Sequence, residues 1–256
     1  YKFNPKLALP KIQGPVPDKP TEQQIRTDAE PVTSFALSVE YERGDGPKDK
    51  GHIFVSPEGG LGLHAERLHF RGRPYVFLPS MRHLATRETA DLFSNLAKRG
   101  EEDKVAAILQ LIEPNLVGLK TITQGPSTSV HAQVKGLPVT LPVALMGEGA
   151  SKLLNIIVGI GNSRGGIVLV DEIENGIHHS VMQSIWQSIG KAVRDYDCQL
   201  LATTHSYECL QAAYEGLKDV ADDFRYLRLD RKEDNTVGKV ATHEIVGQAI
   251  AANMEV

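Results

Sequence analysis

The sequence predicts an α/β protein built mainly on a parallel sheet, with an antiparallel β meander and a helical insertion ahead of it. Three observations carry this. After Pro142, segments of helical period alternate with short β-branched runs, the order that a parallel sheet produces. Within that half, Ile167-Val168-Leu169-Val170 ends abruptly in Asp171-Glu172. A second apolar run, Gln199 to Ala202, ends in Thr203-Thr204-His205-Ser206, as two neighbouring strands opening onto one site would. Ahead of Pro142, period-two alternation broken by glycine turns marks the meander.

Taken in order, residues 1–31 are rich in Pro, Lys and Gln with little periodicity, and read as a linker or irregular tail. From Ser34, Phe35, Leu37, Val39 and Tyr41 alternate with polar or small residues, as in a half-buried strand, and Gly44-Asp45-Gly46 marks a turn. His52 to Ser56 reads as a strand, Gly59-Gly60-Leu61-Gly62 as a turn, and Arg67 to Phe70 and Pro74 to Leu78 as further strands of the same meander. Leu92 and Leu96, then Val105, Ile108, Leu109 and Ile112, fall at helical spacing and predict helices over 86–98 and 102–113. A small hairpin is expected over 117–136, with Pro126 and Ser127 in its turn. Ser151 to Gly161 is the next helix, burying Leu153, Leu154, Ile157 and Ile160. Strand 166–170, buried on both faces, follows. Helix 179–194 buries Val181, Ile185, Trp186, Ile189 and Val193, with Trp186 in the core rather than on a ligand. Strand 199–203, helix 207–217, strands 224–229 and 238–242 and a short helix complete the chain. Residues 32–256 are expected to form a single unit, with 32–140 as meander and helical part and 141–256 carrying the motifs.

The 256 residues carry 41% hydrophobic and 23% charged side chains, ordinary for a globular protein with a sizeable core. A net charge of −4 excludes a global basic field, so any DNA contact must be local or supplied by a partner. No apolar run approaches the roughly 20 residues that span a bilayer, and the N-terminal stretch lacks a signal-peptide core, which makes the cytoplasm the default compartment. The two cysteines, Cys198 and Cys209, make no disulfide framework and are expected as small core residues.

At the end of a parallel strand, a carboxylate pair stands where open α/β sheets bind ligands and where a metal and an activated water would be held. Asp171-Glu172-Ile173-Glu174-Asn175-Gly176-Ile177-His178 resembles the Walker B and D-loop segment of ABC-type ATPase heads. Thr203-Thr204-His205-Ser206 resembles their switch histidine. Met146-Gly147-Glu148-Gly149-Ala150-Ser151-Lys152, a glycine-rich turn entering a helix, is similar to their signature motif, usually Leu-Ser-Gly-Gly-Gln. The wording is closer to one branch, the bacterial AAA-like ATPases of the overcoming-lysogenisation-defect (OLD) group, related to structural-maintenance-of-chromosomes heads. The likeness covers residues 141–211 in its motifs and 34–140 by general pattern.

This resemblance implies a P-loop NTPase fold that uses ATP and Mg²⁺. It gives Asp171 the magnesium shell, Glu172 the water-orienting base and His205 a contact to the γ-phosphate or the attacking water. Gly147, Glu148, Gly149, Ser151 and Lys152 would form the phosphate-facing turn and helix start, with Asn175 and His178 from the D-loop beside them. In the resembled family that turn acts on ATP held by the opposite subunit, which implies a homodimer or higher oligomer with ATP sandwiched between heads. Heads of this branch are often paired with a nuclease or another effector in defence against phage, and no membrane contact is implied.

Two positions depart from the family pattern. Gly147 takes the place of the signature serine, leaving Ser151 to supply a hydroxyl, and His178 takes the place of the D-loop aspartate, as is common in this branch. His179 reads equally as a solvated helix-start residue and as a contact. No Gly-x-x-x-x-Gly-Lys-Ser/Thr loop occurs in the chain, and the glycine cluster Gly159 to Gly166 lacks the lysine. In the resembled family this loop precedes the meander, so the expectation is that it lies ahead of Tyr1; a degenerate head or a loop from another chain are the alternatives. Two other function classes stay open: a non-hydrolysing, ATP-dependent scaffold, and a metal-dependent nuclease using Asp171, Glu172, Glu174, His178, His179 and His205.

Overall fold

The computed structural model describes residues 36–42, 48–55, 61–65, 74–80, 86–232 and 235–252. They fall into two units, one made of the described part of 1–71 with 229–239, the other of 72–228 with 240–256. In the first unit β1 (Ala36–Glu42), β2 (Lys48–Val55) and β3 (Leu61–Ala65) pair antiparallel in the order β1-β2-β3, with Ser38 opposite His52 and His52 opposite His64. This is the expected meander. The expected turn at 44–46, residues 59–60 of the turn expected over 59–62 and the strand at 67–70 lie outside the described residues, while Leu61 and Gly62 of that turn belong to β3 instead.

Every motif lies in the second unit. Its centre is a parallel sheet of β4 (Tyr75–Leu78), β8 (Ile167–Val170) and β9 (Gln199–Ala202), in the order β4-β8-β9. Val76, Val168 and Leu200 share one row and Leu78, Val170 and Ala202 another. The fourth meander strand is therefore corrected: Tyr75–Leu78 belongs to the parallel sheet. The Ile167 N–H donates to Pro74 O at 2.9 Å and the Asp171 N–H to Leu78 O at 2.9 Å, so the pairing holds at both ends of β8. A Cβ on Gly166 would meet Pro74 O at 2.1 Å, so the strand entry admits only glycine.

Between these strands lie α1 (Thr86–Ala97), α2 (Glu102–Leu109), the hairpin β5 (Leu116–Gln124) with β6 (Ser127–Val134), the short β7 (Leu141–Pro142) and α3 (Glu148–Asn162). The hairpin turn is Gly125-Pro126; Ser127, expected in the turn, already pairs with Gln124. The helix expected from Ser151 starts at Glu148. Gly147, at φ 109°, turns the chain where a side chain would be strained, and the helix can begin directly after it. Thr89 Oγ1 donates to Asn155 Oδ1 at 2.7 Å and Asn162 Nδ2 to Leu92 O at 3.0 Å, tying α1 to α3 inside the core.

The core lies on one face of the parallel sheet, where Val168, Leu153, Ile156, Ile160 and Ile185 are fully buried. Gly159 of α3 rests on Val76 and Val168, since its Cβ would stand 3.4 Å and 3.8 Å from their methyl groups. Only that face of β8 is sealed: Val168 and Val170 are buried, whereas Ile167 and Leu169 are half-buried. The expectation of burial on both faces is thus corrected, and β9, at the edge of the sheet among the described residues, is more open still, with Leu201 48% exposed.

Helix α4 (His179–Asp195) buries Met182, Ile185, Trp186 and Ile189, so Trp186 is core as expected. It packs on α5 (Tyr207–Gly216), where a Cβ on Gly216 would meet Gln183 O at 2.5 Å. The chain then runs through β10 (Arg225–Lys232) and β11 (Asn235–Thr242), a paired ribbon, to α6 (His243–Ala251). Cys209 is buried and Cys198 half-buried, and burial pushes both thiols up, as inert packing residues. Among the described residues no helix is long and apolar enough to cross a membrane.

Candidate functional site

All three parallel strands deliver a polar residue at their C-terminal ends: Ser80 just after β4, Asp171-Glu172 after β8 and Thr203 after β9. In such sheets this edge is where strand ends splay and leave room for a ligand. Thr203 is the hub. Its Oγ1 donates to Asp171 Oδ1 at 2.6 Å and accepts the Glu172 N–H at 2.9 Å, and its main-chain oxygen accepts the Ile173 N–H at 3.1 Å. The Thr203 hydroxyl holds the Asp171 carboxyl below the usual carboxylate range, against the opposing pull of partial burial, with Ser80 and Lys152 adding to the effect. Asp171 is therefore an anionic, oriented oxygen donor, the kind that hard divalent cations take.

Glu172 sits at φ 47°, a left-handed conformation that side chains other than Asn, Asp and Gly seldom adopt. The turn keeps it there. Asn175 Nδ2 donates to Glu172 Oε2 at 2.6 Å, and the Asn175 N–H donates to Glu172 O at 3.1 Å. A strained residue held by side chain and main chain at a strand end is a marker of a working site.

Lys152 approaches from the core side. The residue is 3% exposed, and Nζ donates to the Asp171 main-chain oxygen at 2.7 Å. Burial pushes its ammonium down, and the Asp171, Glu172, Glu148 and Glu174 carboxylates hold it up. The glycine turn lies against the same loop. A Cβ on Gly149 would meet Gly176 O at 2.2 Å, and one on Gly176, at φ 74°, would meet Gly149 N at 2.7 Å. Both glycines are thus required by a backbone contact between the start of α3 and the turn after β8. The first turn of α3 presents N–H groups that an anion can use. Ser151 Oγ, however, donates to Gly147 O at 3.3 Å, and His178 Nδ1 caps α4 by accepting the Ser180 N–H at 3.3 Å.

Asp171, Glu172, Asn175 and Thr203 therefore form one hydrogen-bonded cluster, Lys152 supports it from beneath, and Gly149 packs against its rim at Gly176. His205 is exposed, with its N–H donated to Glu174 Oε1 at 3.0 Å. Sequence reasoning missed Ser80, Thr203 as a linker and the contact of Glu174 with His205. Ser80 follows the short strand assigned to the meander; Thr203 was visible as the first polar residue after β9, but its two-way bond needs the register. Among the described residues no three His, Cys, Asp or Glu side chains group as a metal-ligand set.

The family profile described as "AAA domain, putative AbiEii toxin, Type IV TA system" matches residues 28–210. A Helicobacter pylori protein named ATP/GTP phosphatase is 25% identical over 104 residues, 40% of this chain and 28% of that protein, so the match spans little more than a quarter of that relative's length. An uncharacterised Methanocaldococcus jannaschii protein is 27% identical over 101 residues, 40% of this chain and 89% of its own. Among solved structures, an Smc head bound to the C-winged helix domain of ScpA aligns with a TM-score of 0.50 at 10% identity, covering 86% of this chain and 78% of that one. At that identity the likeness is one of fold, that of a P-loop NTPase head.

Proposed function

The chain belongs to the AAA-domain family whose profile it matches, a group of P-loop ATPases of the AAA/ABC type, and from this premise we propose that it hydrolyses ATP at the Asp171-Glu172 strand end. The observation that carries the proposal is the Thr203 bridge, which orients a depressed-pKa aspartate and the adjoining strained glutamate in one unit. Mg²⁺, when bound, neutralises phosphate charge and aligns the γ-phosphate for in-line attack. Asp171 holds the anionic oxygen on the metal's side, through Thr203 and Ser80. Glu172, fixed by Asn175, orients the attacking water and accepts its proton. His205 contacts the γ-phosphate side and registers its presence.

In the same reading, the turn from Gly147 to Gly149 and the first turn of α3 face the nucleotide of a second copy, so that two heads close on two ATP molecules. The gain from such closure is control, because turnover then opens and closes an assembly. An effector, with a nuclease as the leading class, would read that cycle in a role resembling phage defence by the OLD group, in the cytoplasm and with local DNA contact. The name of the Helicobacter relative, an ATP/GTP phosphatase, supports hydrolysis of a nucleoside triphosphate.

The test is ATP-dependent assembly of the full-length protein, followed by light scattering. Glu172→Gln should bind ATP and accumulate as a dimer, and ADP should not produce it. A Glu172→Gln protein that stays monomeric at saturating ATP and Mg²⁺ would sink the sandwich arrangement.

A further inference from the structure

We propose that Glu174 is the positioning residue that sets the switch histidine, an inference that rests on the role given to His205 above. Four bonds join the loop after β8 to the loop after β9. Three run through Thr203, whose hydroxyl donates to Asp171 Oδ1 and accepts the Glu172 N–H and whose main-chain oxygen accepts the Ile173 N–H. The fourth bypasses Thr203: Glu174 Oε1 reaches across and accepts the His205 N–H at 3.0 Å. A charged acceptor makes this the stronger class of hydrogen bond, and it falls on the residue whose imidazole must be aimed.

The second oxygen points to function. Glu174 Oε2 is buried without a hydrogen-bond partner among the described residues. Burying an unsatisfied carboxylate oxygen is costly, and an uncharged acceptor would make the same bond to His205 more cheaply. The carboxylate also stands where the α5 amide dipoles begin, since Ser206, next to His205, is the α5 N-cap and accepts the Cys209 N–H at 3.1 Å. Glu174 and Glu172 belong to one turn, closed by the Ile177 N–H donating to Glu174 O at 3.0 Å and the Asn175 N–H donating to Glu172 O at 3.1 Å. A shift of the Glu172 turn is thereby passed to the His205 main chain directly through the Glu174 carboxylate, beside the bonds made by Thr203. Glu174 touches neither substrate nor metal in this account; it acts through His205.

A double-mutant cycle on ATP turnover by the full-length protein tests this. Glu174→Ala and His205→Ala should each lower kcat tenfold or more, with KM for ATP changed less than about twofold. The double variant should lie within about twofold of His205→Ala alone, because a residue that acts through His205 has nothing left to position. Glu174→Gln, which keeps an acceptor for the His205 N–H but loses the charge, should lie between Glu174→Ala and wild type in kcat. Glu174→Met, which fills the space without an acceptor, should behave like Glu174→Ala and serves if the alanine variant fails to fold. Losses that multiply in the double variant, or wild-type turnover in Glu174→Ala beside a slow His205→Ala, would overturn the proposal while leaving the ATPase reading intact. Wild-type turnover in both His205→Ala and Glu172→Gln would overturn that reading itself, and the positioning role with it.

Discussion

Thr203→Val removes a hydroxyl and keeps the shape of the side chain, so its effect isolates the bridge between Asp171 and Glu172. Two hydrogen bonds are lost: the donation to Asp171 Oδ1 at 2.6 Å and the acceptance of the Glu172 N–H at 2.9 Å. A bond to a charged acceptor is worth about 1.5–3 kcal/mol and a neutral one about 0.5–1.5 kcal/mol. Thr203 is exposed, so water replaces part of each bond and the low ends apply, about 2 kcal/mol together. At 1.36 kcal/mol per decade this is roughly a thirtyfold loss in kcat/KM for ATP. The pH dependence carries an independent signature. Thr203 is the first cause of the depressed Asp171 pKa, so removing it lets that pKa climb back toward the ordinary carboxylate value. Asp171 then protonates earlier as pH falls, and the acid limb of the turnover profile moves to higher pH. Steady-state turnover across pH, with Thr203→Ser as the variant that keeps the hydroxyl, measures both effects. A folded Thr203→Val protein within threefold of wild type and with an unmoved acid limb would refute the bridge.

Gly149→Ala should destabilise the protein by about 1–3 kcal/mol, since its Cβ collides with Gly176 O at 2.2 Å and α3 must shift. Gly147→Ala meets no atom within 4 Å and should show only the strain of φ 109°, about 1–2 kcal/mol; equal turnover in Gly149→Ala and wild type would deny the contact a role in the site. Leu153→Ala, at a fully buried site beneath the sheet, should cost about 2–5 kcal/mol by urea denaturation, and a loss below 1 kcal/mol would contradict the packing. Because the folded-state pKa of Asp171 is lowered, its contribution to stability is complete above the ordinary carboxylate value and is lost as pH falls through the lowered one. Asp171→Asn should therefore flatten the acid side of the stability curve relative to wild type, and parallel curves from pH 7 to pH 3 would count against the shift.

The motif half of the fold was legible because its signals are local. The β-branched run of β8 stops at two carboxylates, and the helical periods of α1, α2 and α4 are carried within each segment. The placement of the two strand ends followed from there, since Asp171, Glu172 and the 203–206 stretch end neighbouring strands in the structure as in the sequence. What stayed hidden depends on distant pairing. Tyr75-Val76-Phe77-Leu78 is four apolar residues in a row, and nothing within the segment tells an antiparallel neighbour from β8. The Met146–Lys152 stretch shows glycines but not which need them: Gly147 needs a positive φ, Gly149 a close backbone neighbour. Lys152 looked like a phosphate ligand from its place in the motif, yet its helical phase turns it inward to the Asp171 carbonyl. Thr203 and Glu174 gain their roles only once β8 and β9 are set side by side.

The central claim is that Glu172 activates the water that cleaves ATP, and its most direct test is single-turnover hydrolysis by full-length wild type and Glu172→Gln at saturating ATP and Mg²⁺. General-base catalysis contributes about 10²–10⁴-fold, so Glu172→Gln should bind ATP with wild-type affinity and cleave it at least a hundredfold more slowly. Cleavage by Glu172→Gln at the wild-type rate would contradict the account.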